Sequence, residues 1–311
     1  MYEISIVIPV FNNELSINLL GSKLAEISEN LKKKFHEIEI LFIDDGSSDN
    51  SLNEILNFKK NYNNVNVKIL KLSKNYGSNN AIQVGLKNSS GNYVAVLSAD
   101  LQDEPNLILQ MHNIIVNSNE NLVICERESR KDKFTTVFFS KIFYKILNSL
   151  LIENYPKNGF DIFMIKRELL QNMNLETMNP TISLMIISMG FKYKKIFYKR
   201  QIREHGESQW TFSKKINFFW DIFIRYSNLP IKIVSRFGLL FSFLSIMYGL
   251  YVFVAKLIYN INVEGFATLA ILISFLSGII IFILGFIGEY LIRIYKLVEK
   301  SEKVIIENFI E

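Results

Sequence analysis

The sequence predicts an α/β fold, a mostly parallel sheet with helices on both faces, followed by a two-helix transmembrane hairpin. Three observations predict it. Short apolar runs alternate with helix-period segments from Ile4 to Ser98, acidic clusters close several of those runs, and two long charge-free stretches lie in the C-terminal part of the chain. Strand–helix alternation builds parallel sheets whose strands are buried on both faces.

ISIVIPV (residues 4–10) is the first strand, with Pro9 near its end. Ile17, Leu20, Leu24, Ile27 and Leu31 recur at spacings of three and four, the period of an amphipathic helix. IEILFI (38–43) is the second strand, and residues 51–60 form a short helix with Ser51 and Glu54 at capping-box spacing. VNVKIL (65–70) is a third strand, 79–88 a helix, and YVAVLS (93–98) a fourth strand. Pro105 announces another helix, with Asp103 or Glu104 at its N-cap.

Phe237–Ala255 holds 19 residues without a charge, ~28 Å as a helix, and Gly265–Gly288 holds 24, ~36 Å. A hydrocarbon core is ~30 Å thick, so both read as transmembrane helices, at residues 235–257 and 265–289. The short link Lys256–Glu264 makes them a hairpin with both flanks on one side of the membrane. Lys232 and Arg236 precede it, and Arg293, Lys296 and Lys300 follow it. The positive-inside rule then puts the N-terminal domain (1–215), the tail (290–311) and both termini in the cytoplasm of an integral inner or plasma membrane protein. Met1-Tyr2-Glu3 leads straight into a strand with no signal-peptide pattern. Residues 216–230, aromatic and ending at Pro230, read as a juxtamembrane amphipathic helix. Phe134–Leu151 fits an interfacial helix and a core-packed helix equally well.

Composition narrows the chemistry. The chain has 311 residues, a formal charge of +5, one cysteine and three histidines. A lone cysteine excludes a disulfide framework and agrees with a reduced compartment, and Cys125 with His36, His112 and His205 lacks zinc-site spacing. The mild basic excess fits anionic lipid or a phosphorylated ligand, and no nucleic-acid partner is expected. No G-x-G-x-x-G follows the first strand and no G-x-x-x-x-G-K-[ST] occurs, which argues against dinucleotide dehydrogenases and P-loop enzymes.

Ligands in such sheets bind beyond the carboxyl ends of the strands. Those ends read PVFNNE (9–14), DDGSSD (44–49) and SADLQD (98–103). Carboxylates at that edge suit two tasks: accepting hydrogen bonds from a base or ribose, and holding a divalent ion that neutralises a diphosphate. Arg200 and Arg203, with Lys199 and Lys214, form a basic cluster ahead of the apolar stretches. Guanidinium forks suit a phosphate presented there, and the same cluster also fits nonspecific anchoring to headgroups.

On these segments the chain resembles glycosyltransferase family 2, which has a GT-A fold. The resemblance rests on the first strand with Asn12, DDGSSDNS (44–51), LSKNYGSNNA (72–81) and SADLQDEP (98–105). GFDIFMIKR (159–167), RQIREHGESQW (200–210) and the paired apolar stretches are similar to the polyprenyl-phosphate branch. That branch holds dolichyl-phosphate-mannose synthases and the bacterial transferases that load glucose or aminoarabinose onto undecaprenyl phosphate.

The resemblance implies a membrane-bound, inverting, metal-dependent hexosyltransferase. It would move a sugar from a nucleotide-sugar donor, UDP favoured over GDP, to polyprenyl phosphate. Asp44 and Asp45 would bind base and ribose. Pro9, Val10, Phe11 and Glu14 would form the facing wall, with Lys74, Ala99 and Asp100 also around the donor. Asp100 and Gln102 would hold Mg²⁺ or Mn²⁺. Asp161 and Asp100 would be the catalytic carboxylates, with Asp161 orienting acceptor or sugar. Arg127, Arg200, Arg203, Ser208 and Lys214 would receive the acceptor phosphate. Ser98 replaces the first Asp of the family's D-x-D pattern, and fewer charged ligands weaken metal binding. Two alternatives stay open: a processive polysaccharide synthase, whose Q-x-x-R-W motif and extra spans are not found, and a catalytically silent membrane scaffold. Assembly into a homo-oligomer is compatible with the hairpin.

Overall fold

The computed structural model describes residues 2–32, 37–128, 155–156, 158–175, 181–201, 229–259, 265–298 and 304–310. The expectations for Phe134–Leu151, Arg203, Ser208, Lys214 and residues 216–228 lie outside the described residues. The chain divides into two compact units, residues 1–225 with 302–311, and residues 226–301.

The first unit contains β1 (Ile4–Val10), α1 (Glu14–Lys32), β2 (Ile38–Asp44), α2 (Ser51–Asn61), β3 (Asn66–Leu72), α3 (Ser78–Asn88), β4 (Tyr93–Val96) and α4 (Leu107–Val116). It continues with β5 (Leu122–Arg127), β6 (Ile162–Lys166), α5 (Arg167–Gln171), α6 (Ile182–Ser188), β7 (Lys194–Tyr198) and β8 (Ile306–Ile310). The strands form one sheet in the order β7-β5-β6-β4-β1-β2-β3-β8. β1 runs parallel to β2 and β4, and β2 parallel to β3. β6 is antiparallel to β4 and β5, so β5, and β7 parallel to it, run in the direction of β4. The carboxyl ends of β1 to β5 and β7 therefore share one edge.

Burial explains the composition of the central strands. Every residue of β2 is buried, including its two carboxylates, as expected of a strand covered on both faces. Helix α1 buries Ile17, Leu20, Leu24, Ile27 and Leu31, the stripe read from the sequence. Pro9 is tolerated in a central strand for a positional reason. Val7 O accepts from Leu97 N, while Val10 O accepts from Asp45 N, so Pro9 faces the β4 side. The β1–β4 register ends at Val7 and Val96, and the missing N–H costs no ladder bond there.

Two local expectations give way. Ser51 and Glu54 form no capping box. Ser51 Oγ accepts from Asn13 N at 2.8 Å, Glu54 takes Asn18 Nδ2 at 2.7 Å, and Asp49 Oδ1 accepts Ser51 N at 3.0 Å. Tertiary partners have claimed the side chains that a local cap would use. Likewise α4 begins at Leu107 with Asn106 at the N-cap position, because Asp103 is committed to Ser98 and Tyr198.

The sheet's amino-terminal half holds a buried carboxylate, Glu39. Ser5 Oγ donates to it at 2.5 Å, Ser90 N at 2.9 Å, Ser90 Oγ at 2.8 Å, and Lys68 Nζ lies 2.9 Å away. Burial alone would raise its pKa, but these donors hold it below the usual carboxylate value.

The second unit contains α7 (Leu229–Tyr259) and α8 (Phe266–Val298). Among the described residues α8 is the one helix long and apolar enough to cross a membrane, over Phe275–Ile292. None of that window is buried. Among the described residues α7 carries an apolar stretch at Ile246–Ala255. Both helices overrun their expected ends, α7 into the link and α8 past Glu289 to Val298.

Candidate functional site

The first cluster at the carboxyl edge lies at the ends of β1 and β2. Asp44 is fully buried. Its Oδ1 accepts from Ser47 N at 3.1 Å, and its Oδ2 has no hydrogen-bond partner among the described residues. An unpartnered buried carboxylate oxygen is costly, so it marks a place where a ligand donor would be welcome. Asp45 is differently used. Its two oxygens accept Tyr76 N at 2.7 Å and Gly77 N at 2.9 Å. Asp45 thus fastens the loop after β3 to the end of β2. Burial, and next to it the charge of Asp44, push its pKa up to about 6 against those two donors.

Gly46 makes this approach feasible. Its φ is +68°, and a Cβ there would lie 2.6 Å from Lys74 C and 2.8 Å from Asn75 N. Only a residue without a side chain fits between the two loops. Asn12, with φ of +53°, bridges from β1: its N donates to Ser47 Oγ at 3.1 Å and its Oδ1 accepts Ser48 N at 2.9 Å. Of the expected wall residues, Val10 is buried, whereas Pro9 and Phe11 are partly exposed. Glu14 Oε2 accepts Asn50 N at 2.9 Å, which joins α1 to the start of α2. Lys74 is exposed, with Nζ 5.0 Å above the Tyr76 ring.

The second cluster follows β4 and β7. Ser98 Oγ lies 2.5 Å from Asp103 Oδ2 and 3.0 Å from Asp100 Oδ1, so its single proton can serve one carboxylate at a time. Tyr198 OH donates to Asp103 Oδ1 at 2.8 Å. Arg200 Nε lies 3.3 Å from Asp103 Oδ1, and Arg200 Nη2 lies 3.6 Å from Asp100 Oδ2. One guanidinium thereby offsets part of the charge of two close carboxylates, and the Ser98 hydroxyl bridges them. Leu101, between them, has φ of +58°, an uncommon conformation for a bulky side chain and one that concentrates at functional sites. Gln102 N donates to Asp100 Oδ1 at 3.2 Å, and Gln201 N donates to Gln102 O at 2.9 Å.

A third group adjoins it. Arg127, at the end of β5, is ion-paired with Asp161, just before β6. Burial opposes the Arg127 charge, but Asp161, Tyr198 and Asp103 outweigh it and raise its pKa. Tyr198, largely through burial and then the Asp103 charge, is held well above the usual phenol value. Tyr198 therefore joins the Asp100–Asp103 pair to the Arg127–Asp161 pair.

The structure thus brings Asp100, Gln102, Arg127, Asp161 and Arg200 into one neighbourhood. Ala99, also expected near the donor, is buried between Ser98 and Asp100. Asp103 and Tyr198 were missed as site residues. The signal for Asp103 was its place in SADLQD; none in the sequence points to Tyr198, whose partner is far away along the chain.

A family model for glycosyl transferase family 2 matches residues 5–173, more than half of the chain. The chain belongs to glycosyl transferase family 2. Relatives extend the likeness past the family model. An uncharacterized glycosyltransferase, YkcC of Bacillus subtilis, is 33% identical over 94% of this chain and 89% of its own length. The bactoprenol glucosyl transferase of Shigella phage SfII is 29% identical over 98% of each chain. Among solved structures, glucosyl-3-phosphoglycerate synthase from Mycobacterium tuberculosis is similar at 13% identity, with a TM-score of 0.49 over 71% of this chain and 77% of that one. The α/β sheet of this family 2 glycosyltransferase, with its acidic carboxyl edge, is the GT-A arrangement that its motifs led us to expect.

Proposed function

We propose that this glycosyltransferase moves a sugar from a nucleotide-sugar donor, UDP favoured over GDP, to a polyprenyl phosphate at a membrane surface. The observation that carries the reading is end-to-end similarity to a bactoprenol glucosyl transferase, with the apolar α8 following an acid-lined sheet edge in the same chain. Asp44, with its open Oδ2, receives base or ribose hydroxyls, and Asp45 holds the adjoining loop. Pro9 and Phe11 offer partly exposed apolar surface beside them.

The residues present fit a hard divalent ion, Mg²⁺ or Mn²⁺. No group of three His, Cys, Asp or Glu side chains that could hold a metal is found among the described residues. One or two carboxylates are enough when donor phosphates complete the shell. Asp100 would be the ligand, with Gln102 beside it and Asp103 behind it. Such an ion, when bound, offsets the charge that develops on the leaving nucleoside diphosphate.

The acceptor phosphate is already an anion and needs orientation more than deprotonation. Its oxygen attacks the anomeric carbon as the bond to the diphosphate breaks, so configuration inverts. Asp161, ion-paired with Arg127, orients the acceptor or the sugar. Arg200 supplies a guanidinium between the acidic pair and the incoming phosphates. Both apolar helices are taken as spans, with the sheet-bearing unit cytoplasmic, on the charge distribution read from the sequence.

The test is a product assay. Purified protein, undecaprenyl phosphate, Mn²⁺ or Mg²⁺ and a panel of UDP- and GDP-sugars should yield a lipid heavier by one glycosyl unit. Asp100→Ala should lose transfer by at least a hundredfold while folding and inserting normally. A wild type that makes no glycosyl lipid with any donor overturns the reading. A turnover of Asp100→Ala near that of the wild type overturns the metal assignment.

A further inference from the structure

We propose that the C-terminal strand β8 is a strut of the donor site. It would hold, through Tyr76, the loop that positions Asp45. The inference rests on the reading of Asp44 and Asp45 as the nucleotide end of the site.

β8 runs antiparallel to β3, pairing Ile69 with Ile310, Leu70 with Phe309 and Lys71 with Asn308. The next pair is Leu72 with Ile306, so Glu307 is an extra residue, a β-bulge. Bulges bend a strand and redirect the residues beyond them. Glu307 is also fixed, with Oε2 2.8 Å from Lys71 Nζ.

Beyond the ladder the chain keeps hold of the loop after β3. Ser73 N donates to Ile305 O at 3.0 Å. Ile305 N donates to Tyr76 OH at 3.4 Å, and Tyr76 OH lies 3.0 Å from Ser73 Oγ. The Tyr76 ring carries Lys74 on its face. The backbone of the same Tyr76, with that of Gly77, supplies the two donors that Asp45 accepts. The loop is thus held at both ends: by Asp45 on the site side and by Ile305 on the tail side.

A strand that merely covered the edge of β3 would need only the ladder. The bonds to Ser73 and Tyr76 lie past it, on a loop that continues the motif LSKNYGSNNA. A preorganised loop binds ligand without first being ordered, which is where its contribution to affinity lies. The chain reaches β8 only after α8, so the segment following the apolar helices completes the site at the far end of the sequence.

The experiment uses the full chain in detergent, with UDP and GDP as probes. Three proteins are compared: wild type, Tyr76→Phe, and a chain ending at Lys303. Titration calorimetry should show binding of one nucleotide by the wild type and roughly tenfold weaker binding by both variants. Hydrogen exchange at the amides of Tyr76 and Gly77 should speed up in both variants, with β2 and β4 unchanged. A merely structural strand would lower unfolding resistance without moving either readout in Tyr76→Phe, whose ladder is intact. Wild-type affinity in both variants, or undisturbed protection at Tyr76 and Gly77, overturns the strut. If the shortened chain does not fold, Tyr76→Phe decides alone. A wild type that binds neither UDP nor GDP overturns the donor-site reading and the strut's role in it.

Discussion

Asp45 shows how a single residue trades stability for position. Burial raises its pKa from 3.8 to about 6, so the folded protein holds the proton more tightly than the unfolded chain does. Its contribution to stability is fully present below pH 3.8 and is lost as pH rises through about 6. At neutral pH the carboxylate is ionised against that cost, with Tyr76 N and Gly77 N donating to its two oxygens. Asn at position 45 does not titrate. The wild type should therefore lose about 2 kcal/mol relative to Asp45→Asn as pH rises from about 4 to about 7, in urea titrations followed by circular dichroism. A constant difference across that range would show that Asp45 is not a buried acid with a raised pKa. Donor binding should run the other way, strengthening as Asp45 ionises.

At the scale of elements, Glu39 ties β2 to β1, β3 and the turn before β4. Its partners Ser5, Lys68 and Ser90 come from three different segments. Removing the carboxylate takes away the acceptor shared by Ser5 Oγ, Ser90 N, Ser90 Oγ and Lys68 Nζ. Glu39→Ala should destabilise the sheet-bearing unit by about 3 kcal/mol at neutral pH. The sign with pH is opposite to that of Asp45. The pKa of Glu39 is lowered, so its contribution is present above about pH 4.5 and fades as pH falls further. The penalty of Glu39→Ala should shrink in acid, which unfolding titrations at about pH 7 and about pH 3.5 would check. A penalty that grew in acid would reverse the assignment.

At the scale of the molecule, β8 constrains how the chain can cross a membrane. Its hydrogen bonds to β3 put it in the same compartment as the sheet, so the number of crossings before it must be even. If α8 crosses, the chain crosses once more before it, and α7 is long enough at ~46 Å. Cysteine labelling can test this cleanly, because Cys125 is buried and its thiol is pushed up to about 12 by burial and then by Asp103. Ile258→Cys, near the end of α7, should react with an impermeant maleimide from outside intact cells, and Leu15→Cys on α1 only after permeabilisation. Labelling of both from one side would sink the two-crossing topology.

What the sequence determined by itself was whatever depends on local period and on motif. Helix and strand alternation through β4, the α1 stripe and the acidic carboxyl edge were legible because each is written in neighbouring residues. Tertiary structure alone decided which partners those residues meet. Ser51 and Glu54 kept capping-box spacing but gave their side chains to other segments. Asp103, after β4, meets Tyr198 and Arg200 at the end of β7, and sequence distance hides such convergence. The strand at Ile306–Ile310 is short and has no periodic signal of its own; only the open edge of β3 makes it a strand.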